Sequence, residues 1–287
     1  MTRKQKDRLT PLLTHLYQDA RWMGRLKDDP VGLVHQYANP LDIEAVGFLS
    51  AALAIGRVTL FRVVIEKILA LTCGQPYHYL TIFNAARERS RFNGLYYRFY
   101  SGDDLFYLMN VMSLVVKEYG SIGALMQSLY REEEDIGCTL TRFVGTLRAL
   151  DERGVPRHPF FSSPAGGSAC KRLNLYLRWM VRPKDSIDFG LWKEIPPAKL
   201  IIPLDTHVVR IARYLGLTRR KSPNWQMAQE ITDHLKCFDP VDPLKYDFVL
   251  CHLGISGACP VIPDPEKCRP CPLLGACRRG RRLVKWR

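Results

Sequence analysis

The chain has 287 residues, of which 47% are hydrophobic and 24% charged, a balance that excludes disorder over most of its length. Lys and Arg number 42 against 28 Asp and Glu, a formal net charge of +14. An excess of this size points to a polyanionic partner, nucleic acid first and an acidic membrane surface second.

In chain order the predicted elements are helices. Residues 1–17 are basic but carry no apolar core of signal-peptide length. Residues 41–71 hold long apolar runs without proline, which predicts two helices meeting near Gly56. The apolar stretch 45–55 is too short to span a bilayer, so the expected location is the cytoplasm. Residues 103–119 show a helical stripe of Leu105, Leu108, Val111, Met112 and Val115. Residues 132–135 are acidic and read as a solvated turn, and residues 140–150 as a helix. A Pro/Gly/Ser-rich break follows at 151–167. Over 168–181 the positions Leu173, Tyr176, Leu177, Met180 and Val181 repeat near 3.6 residues. Further helices are expected at 206–215, capped by Asp205, and near 225–235 and 243–253. No alternating strand pattern of useful length occurs, so the fold class is all-α.

Cysteine usage is uneven. Cys73, Cys138, Cys170, Cys237 and Cys251 are scattered, whereas Cys259, Cys268, Cys271 and Cys277 fall within nineteen residues. Their spacing is Cys-x8-Cys-x2-Cys-x5-Cys. Pro260, Pro263, Pro265, Pro270 and Pro272 predict that this segment forms neither a helix nor a central strand, so something else must hold it. A four-thiolate centre supplies that order. Tetrahedral zinc and a [4Fe–4S] cluster both satisfy the spacing.

A Cys-x2-Cys-x5-Cys run that closes a basic all-α chain resembles endonuclease III and its relatives, the helix-hairpin-helix DNA glycosylases. The first gap is eight residues here and six in that family. The resemblance implies a [4Fe–4S] cluster rather than zinc, and a cluster loop that meets the DNA backbone. The tail after Cys277 carries six basic residues, Arg278, Arg279, Arg281, Arg282, Lys285 and Arg287, which suit counterion release from phosphates.

The segment Leu204-Asp205-Thr206-His207 resembles the Val-Asp-Thr-His segment of endonuclease III. Asp205 reads locally as an N-cap. The resemblance adds a catalytic role, stabilising positive charge on the sugar as the N-glycosidic bond breaks. His207 is expected to pack or hydrogen-bond locally. Upstream, Gly166, Gly167 and Ser168 resemble the glycine-rich hairpin, where backbone N–H groups bind a phosphate. Lys171 then matches the lysine of the bifunctional members, which attacks the sugar and leaves a Schiff base. Arg172, Arg178 and Arg182 are expected to hold phosphates and to lower the Lys171 pKa. Gly167 to Lys171 is four steps where the family has two. The long insertion 183–198, with Trp192, resembles the archaeal 8-oxoguanine glycosylases and tilts the substrate toward an oxidised purine. Ala52 stands where the family has a base-gap-filling Gln. The mixed segment 91–100 suits either base stacking or a core with surface arginines.

Taken whole, the resemblance is to a bacterial branch of that superfamily. It implies a two-part fold with a six-helix barrel over 43–199. Residues 200–287 form the cluster-bearing half, and residues 1–42 pack with it. Lys171 and Asp205 would face each other across the cleft. The expected function is a DNA glycosylase with AP-lyase activity in base excision repair. It would act as a monomer on double-stranded DNA with a damaged base or abasic site, nucleoid-associated while acting. The rival readings are a non-enzymatic iron–sulfur DNA-binding protein and a cluster-bearing sensor that binds RNA.

Overall fold

The structure is a computed structural model that describes residues 1–151 and 160–284. It is all-helical, with no strand among the described residues beyond two isolated bridges. In chain order the helices are α1 (Arg3–Gln18), α2 (Val31–Val34), α3 (Pro40–Leu53), α4 (Val58–Ala70), α5 (Pro76–Ile82), α6 (Ala85–Glu88), α7 (Gly102–Tyr119) and α8 (Ile122–Glu133). They continue with α9 (Ile136–Leu150), α10 (Lys171–Val181), α11 (Thr206–Leu215), α12 (Trp225–Lys236), α13 (Asp247–Ile255), α14 (Pro265–Cys268) and α15 (Arg278–Val284). None is long and apolar enough to cross a membrane.

Short polar side chains set most starts. Asn39 caps α3 ahead of Pro40, Ser101 and Asp104 form a reciprocal capping box on α7, and Ser121, Asp135 and Asn224 cap α8, α9 and α12. Each such oxygen satisfies an N–H that the first helical turn leaves without a partner. Between α3 and α4 the chain turns at Gly56, whose φ of +91° favours glycine.

The chain divides into two compact units. The first comprises Met1–Arg25, Gly167–Arg178 and Pro196–Arg287. The second comprises Leu26–Gly166 and Trp179–Ile195. In the second unit α3 is apolar on every side and buried from Ile43 onward. It packs against α2, α4, α5 and α8, the arrangement of a central core helix. In the first unit α11 lies along α13, and α1 lies beside the 3-10 turn Pro243–Tyr246.

Trp192 belongs to the second unit's interior. It is 1% exposed, and its indole N–H donates to Glu44 Oε1 at 2.8 Å. The other Glu44 oxygen accepts the Gly123 N–H at 2.8 Å. Trp192, named in the sequence reading as part of the 183–198 insertion that tilts the substrate toward an oxidised purine, is thus a buried core residue. Replacing Trp192 by Phe removes a donor from a buried carboxylate. The expected cost is about 1–3 kcal/mol, read as a lower urea midpoint. An unchanged midpoint would refute the assignment.

Candidate functional site

Asp205 occupies the N-cap of α11, as its sequence context predicts. Its Oδ1 accepts the Val208 N–H at 2.6 Å. Its Oδ2 accepts the Cys251 thiol at 3.1 Å, across from α13. The carboxylate is therefore held from two sides. Packing between α11 and α13 makes this possible because α13 presents Gly254 to His207. A Cβ at Gly254 would stand 2.5 Å from the His207 Cβ.

His207 carries the electrostatic signature of the site. Burial holds its pKa below the ordinary imidazole value, Arg210 and Lys171 push the same way, and Asp205 opposes them. Lys171, the first residue of α10, thus lies within electrostatic reach of the imidazole that follows Asp205 by two positions. The sequence reading puts Lys171 and Asp205 in opposite halves, whereas both lie in the first unit.

A depressed histidine pKa has a definite sign in stability. The unfolded chain takes up the proton near pH 6.5 and the folded chain only at lower pH, so stability is lost as pH falls through that window. His207→Gln is expected to lose less stability than wild type between pH 7.5 and pH 5, measured by urea denaturation. A parallel loss in both proteins would refute it.

α9 ends at Leu150, and among the described residues that follow, a 3-10 turn, Pro164–Gly166, opens the glycine-rich segment. Residues 152–159 of the expected break lie outside the described residues. Gly166 and Gly167 are exposed and Ser168 is half-buried. Gly167 has a φ of +76° and Cys170 one of +48°, so the chain turns twice before α10 begins. Within the first unit the Gly167 carbonyl accepts the Trp225 N–H at 3.1 Å, and Ser168 pairs with Asn224. Arg219, Arg220 and Lys221, all exposed, precede that contact by a few residues.

Two of the expected phosphate ligands are elsewhere engaged. Arg178 is 2% exposed, its Nη1 stands 3.2 Å from Asp247 Oδ2, and its guanidinium lies 5.7 Å from the Phe248 ring centre. Arg182 is likewise 2% exposed and pairs with Asp188 and, at 3.4 Å, with Asp185. Both are buried ion pairs and do not face solvent where a phosphate could reach them. The physical reason is that α10 is buried on every side from Leu173 onward, so its polar face is covered as well as its apolar stripe. Arg172, half-buried, stays beside the start of the helix and acts electrostatically on Cys170.

The four clustered cysteines line one pocket with Tyr214, Pro260, Pro263, Leu274 and Gly280. About 340 Å³ of atom-free space, counted together with the solvent at its open mouth, lies within it. Cys259 follows α13, and its N–H donates to the Leu253 carbonyl at 3.0 Å. Cys268 ends α14 and Cys277 precedes α15, whose Gly280 N–H donates to Cys277 Sγ at 3.2 Å. A Cβ at Gly280 would stand 3.1 Å from Leu274 Cδ1 and in ordinary contact with Cys277 Sγ at 3.4 Å and Cys268 Sγ at 3.7 Å. Burial pushes the thiols of Cys259 and Cys268 up and that of Cys271 to about 11. Among the described residues no three His, Cys, Asp or Glu side chains are gathered as a single metal ion would need.

Arg210 connects the two places. Its Nη2 lies 3.2 Å from His207 Nδ1 and donates to the Cys259 carbonyl at 2.7 Å. Sequence reasoning missed Arg210 and Cys251. Arg210 follows His207 by three positions on one helix face, a spacing that could have found it, whereas nothing local marks Cys251.

Basic groups from three distant segments enter the first unit. Gln5 of α1 donates to the Leu215 carbonyl at 2.8 Å, which sets the exposed Arg3, Lys4, Lys6 and Arg8 in the unit that also holds Arg219–Lys221. The Arg278 side chain covers Gly216 and leaves no space for a Cβ there. The tail is helical through Val284, while Lys285 and Arg287 lie outside the described residues.

The family whose sequence model matches is described as "Protein of unknown function (DUF2400)", over residues 29–256. No helix-hairpin-helix glycosylase family matches, which overturns the resemblance to endonuclease III and its relatives. No curated protein and no solved structure matches the chain.

Proposed function

This chain belongs to the family described as a protein of unknown function (DUF2400), so its own residues must carry the reading, and we propose that it is a DNA glycosylase with associated AP-lyase activity. Its substrate would be double-stranded DNA with a damaged base or an abasic site. The observation that carries this is the electrostatic neighbourhood of Lys171, Asp205 and His207 in one unit, with Asp205 fixed by Val208 and Cys251.

The chemistry follows from the groups. The Lys171 amine, once deprotonated, attacks the sugar C1′ and displaces the base, which leaves with a proton. At an abasic site the amine adds to the C1′ aldehyde and water departs, giving a protonated imine. Loss of a C2′ proton then expels the 3′-phosphate by β-elimination. Asp205 stabilises the positive charge that develops on the sugar. The neutral His207, kept so by its surroundings, suits proton transfer near neutral pH. The basic residues of α1, Arg219–Lys221 and α15 support a polyanionic partner through counterion release.

The donor set of the pocket suits a polynuclear iron–sulfur centre. Four thiols surround a shared space, and each iron of a [4Fe–4S] cluster takes one thiolate. Cys259, Cys268, Cys271 and Cys277 would hold the cluster, and its contribution is to order the Pro-rich loop.

Borohydride trapping on abasic-site duplex tests the activity. Hydride reduces the imine to a stable amine, so wild type is expected to give a covalent protein–DNA adduct. Lys171→Ala is expected to give none, and Asp205→Asn much less. An equal adduct with Lys171→Ala would remove the lysine from the mechanism. Duplex binding without any adduct in wild type would favour a non-enzymatic DNA-binding protein.

A further inference from the structure

In the second unit the backbone folds into a tight turn over Tyr97–Tyr100. The Tyr97 N–H donates to the Tyr100 carbonyl at 2.9 Å, and the Tyr100 N–H to the Tyr97 carbonyl at 2.8 Å. Arg98 and Phe99 form the tip. Arg98 has a φ of +55°, a left-handed conformation that is costly for a residue with a Cβ and cheap for glycine. Such strain persists only where the surroundings over-determine it.

Those surroundings are explicit. The buried Tyr97 hydroxyl donates to the Ile55 carbonyl. The buried Tyr100 ring stacks on Phe160, with centroids 4.1 Å apart and planes 16° from parallel. The Arg98 guanidinium occupies the space beside Gly56, where a Cβ would stand 2.6 Å from Nη1. It also lies 6.0 Å from the Phe99 ring centre. The turn is therefore anchored from beneath by two tyrosines.

Its outward side is aromatic and cationic. Tyr96 is 66% exposed and Phe99 39%, with Arg98 between them and the exposed Arg57 next to Gly56. The Tyr96 ring, held out on this support, offers a flat π face, while the Phe99 ring packs edge-on against Tyr100 with centroids 4.6 Å apart and keeps part of its surface open. Flat faces beside guanidinium groups fit nucleobases flanked by phosphates. The chain's net charge of +14 favours the same partner.

We propose that the Tyr96–Phe99 turn is a nucleobase-stacking element, with Tyr96 and Phe99 lying against unpaired or exposed base faces and Arg98 against the adjoining backbone. The inference rests on the reading above that the partner is DNA, and adds where its bases are engaged.

The test uses the full chain with single-stranded DNA and with an abasic-analogue duplex, both carrying 2-aminopurine. Wild type is expected to bind and to change the 2-aminopurine emission. The double variant Tyr96→Ala/Phe99→Ala is expected to bind at least about tenfold more weakly and to lose that change. The slope of log affinity against log salt should stay as in wild type, because no charge is removed. Phe99→Trp should restore stacking where Phe99→Leu does not. Should the double variant fold poorly, Tyr96→Ala alone decides, since that side chain is largely outside the core. Wild-type binding and emission change retained in Tyr96→Ala overturn the stacking role and leave the proposed function standing. Wild type that binds neither DNA overturns the proposed function and this inference together.

Discussion

Arg178→Leu is expected to destabilise the first unit by about 3–5 kcal/mol, the range for breaking a buried ion pair from one side. The substitution leaves the Asp247 carboxylate, 3% exposed, without the guanidinium that stands 3.2 Å from it. Asp247 opens α13, the helix that also carries Cys251 and Gly254 against the Asp205 site. Its displacement would loosen both contacts. Removing both charges together, as Arg178→Leu/Asp247→Leu, is expected to recover much of the loss, because the desolvation cost of the carboxylate is then removed with its partner. Urea denaturation of the four proteins in the cycle gives the coupling. A wild-type midpoint for Arg178→Leu would contradict the buried pair. A stable Arg178→Leu protein that has lost DNA affinity would instead return Arg178 to the phosphate-binding role the sequence suggested.

On the proposed iron–sulfur reading, Cys271→Ala is expected to abolish cluster binding and to lower stability by more than about 4 kcal/mol, as loss of a structural metal centre does. The Pro-rich loop between α13 and α15 has only the four-residue α14 as regular structure. Its thiols line the pocket that would hold the proposed centre, and ligation there would be the main source of order. Iron and acid-labile sulfide should both disappear, together with visible absorbance. Cys138→Ser and Cys237→Ser, at exposed thiols away from the pocket, should leave metal content and stability unchanged. One zinc per wild-type chain with no iron would overturn the iron–sulfur assignment. Full iron in Cys271→Ala would remove this cysteine from the ligand set.

The sequence by itself determined the helical class and several helix limits, because local forces act there. The turn at Gly56 between α3 and α4, the capped start at Asp205 and the run to Leu215 each rest on a backbone need that one nearby residue meets. It also determined that four cysteines belong together, since their spacing within a Pro-rich loop leaves few other sources of order. Short helices such as α2 and α6 escaped notice because four residues carry no readable period.

Tertiary structure decided the fate of the charges. Helical spacing put Arg178 and Arg182 on a polar face, and only the packing around α10 shows that this face is also covered and that each guanidinium meets a carboxylate. The same holds for Trp192, whose partner Glu44 is far away in sequence. Cys251 reached Asp205 through the pairing of α11 with α13, a contact with no local signature. The physical reason is common to all of these. Caps and turns are settled by groups within a few residues, whereas burial of a charge depends on which distant helix arrives to pair with it.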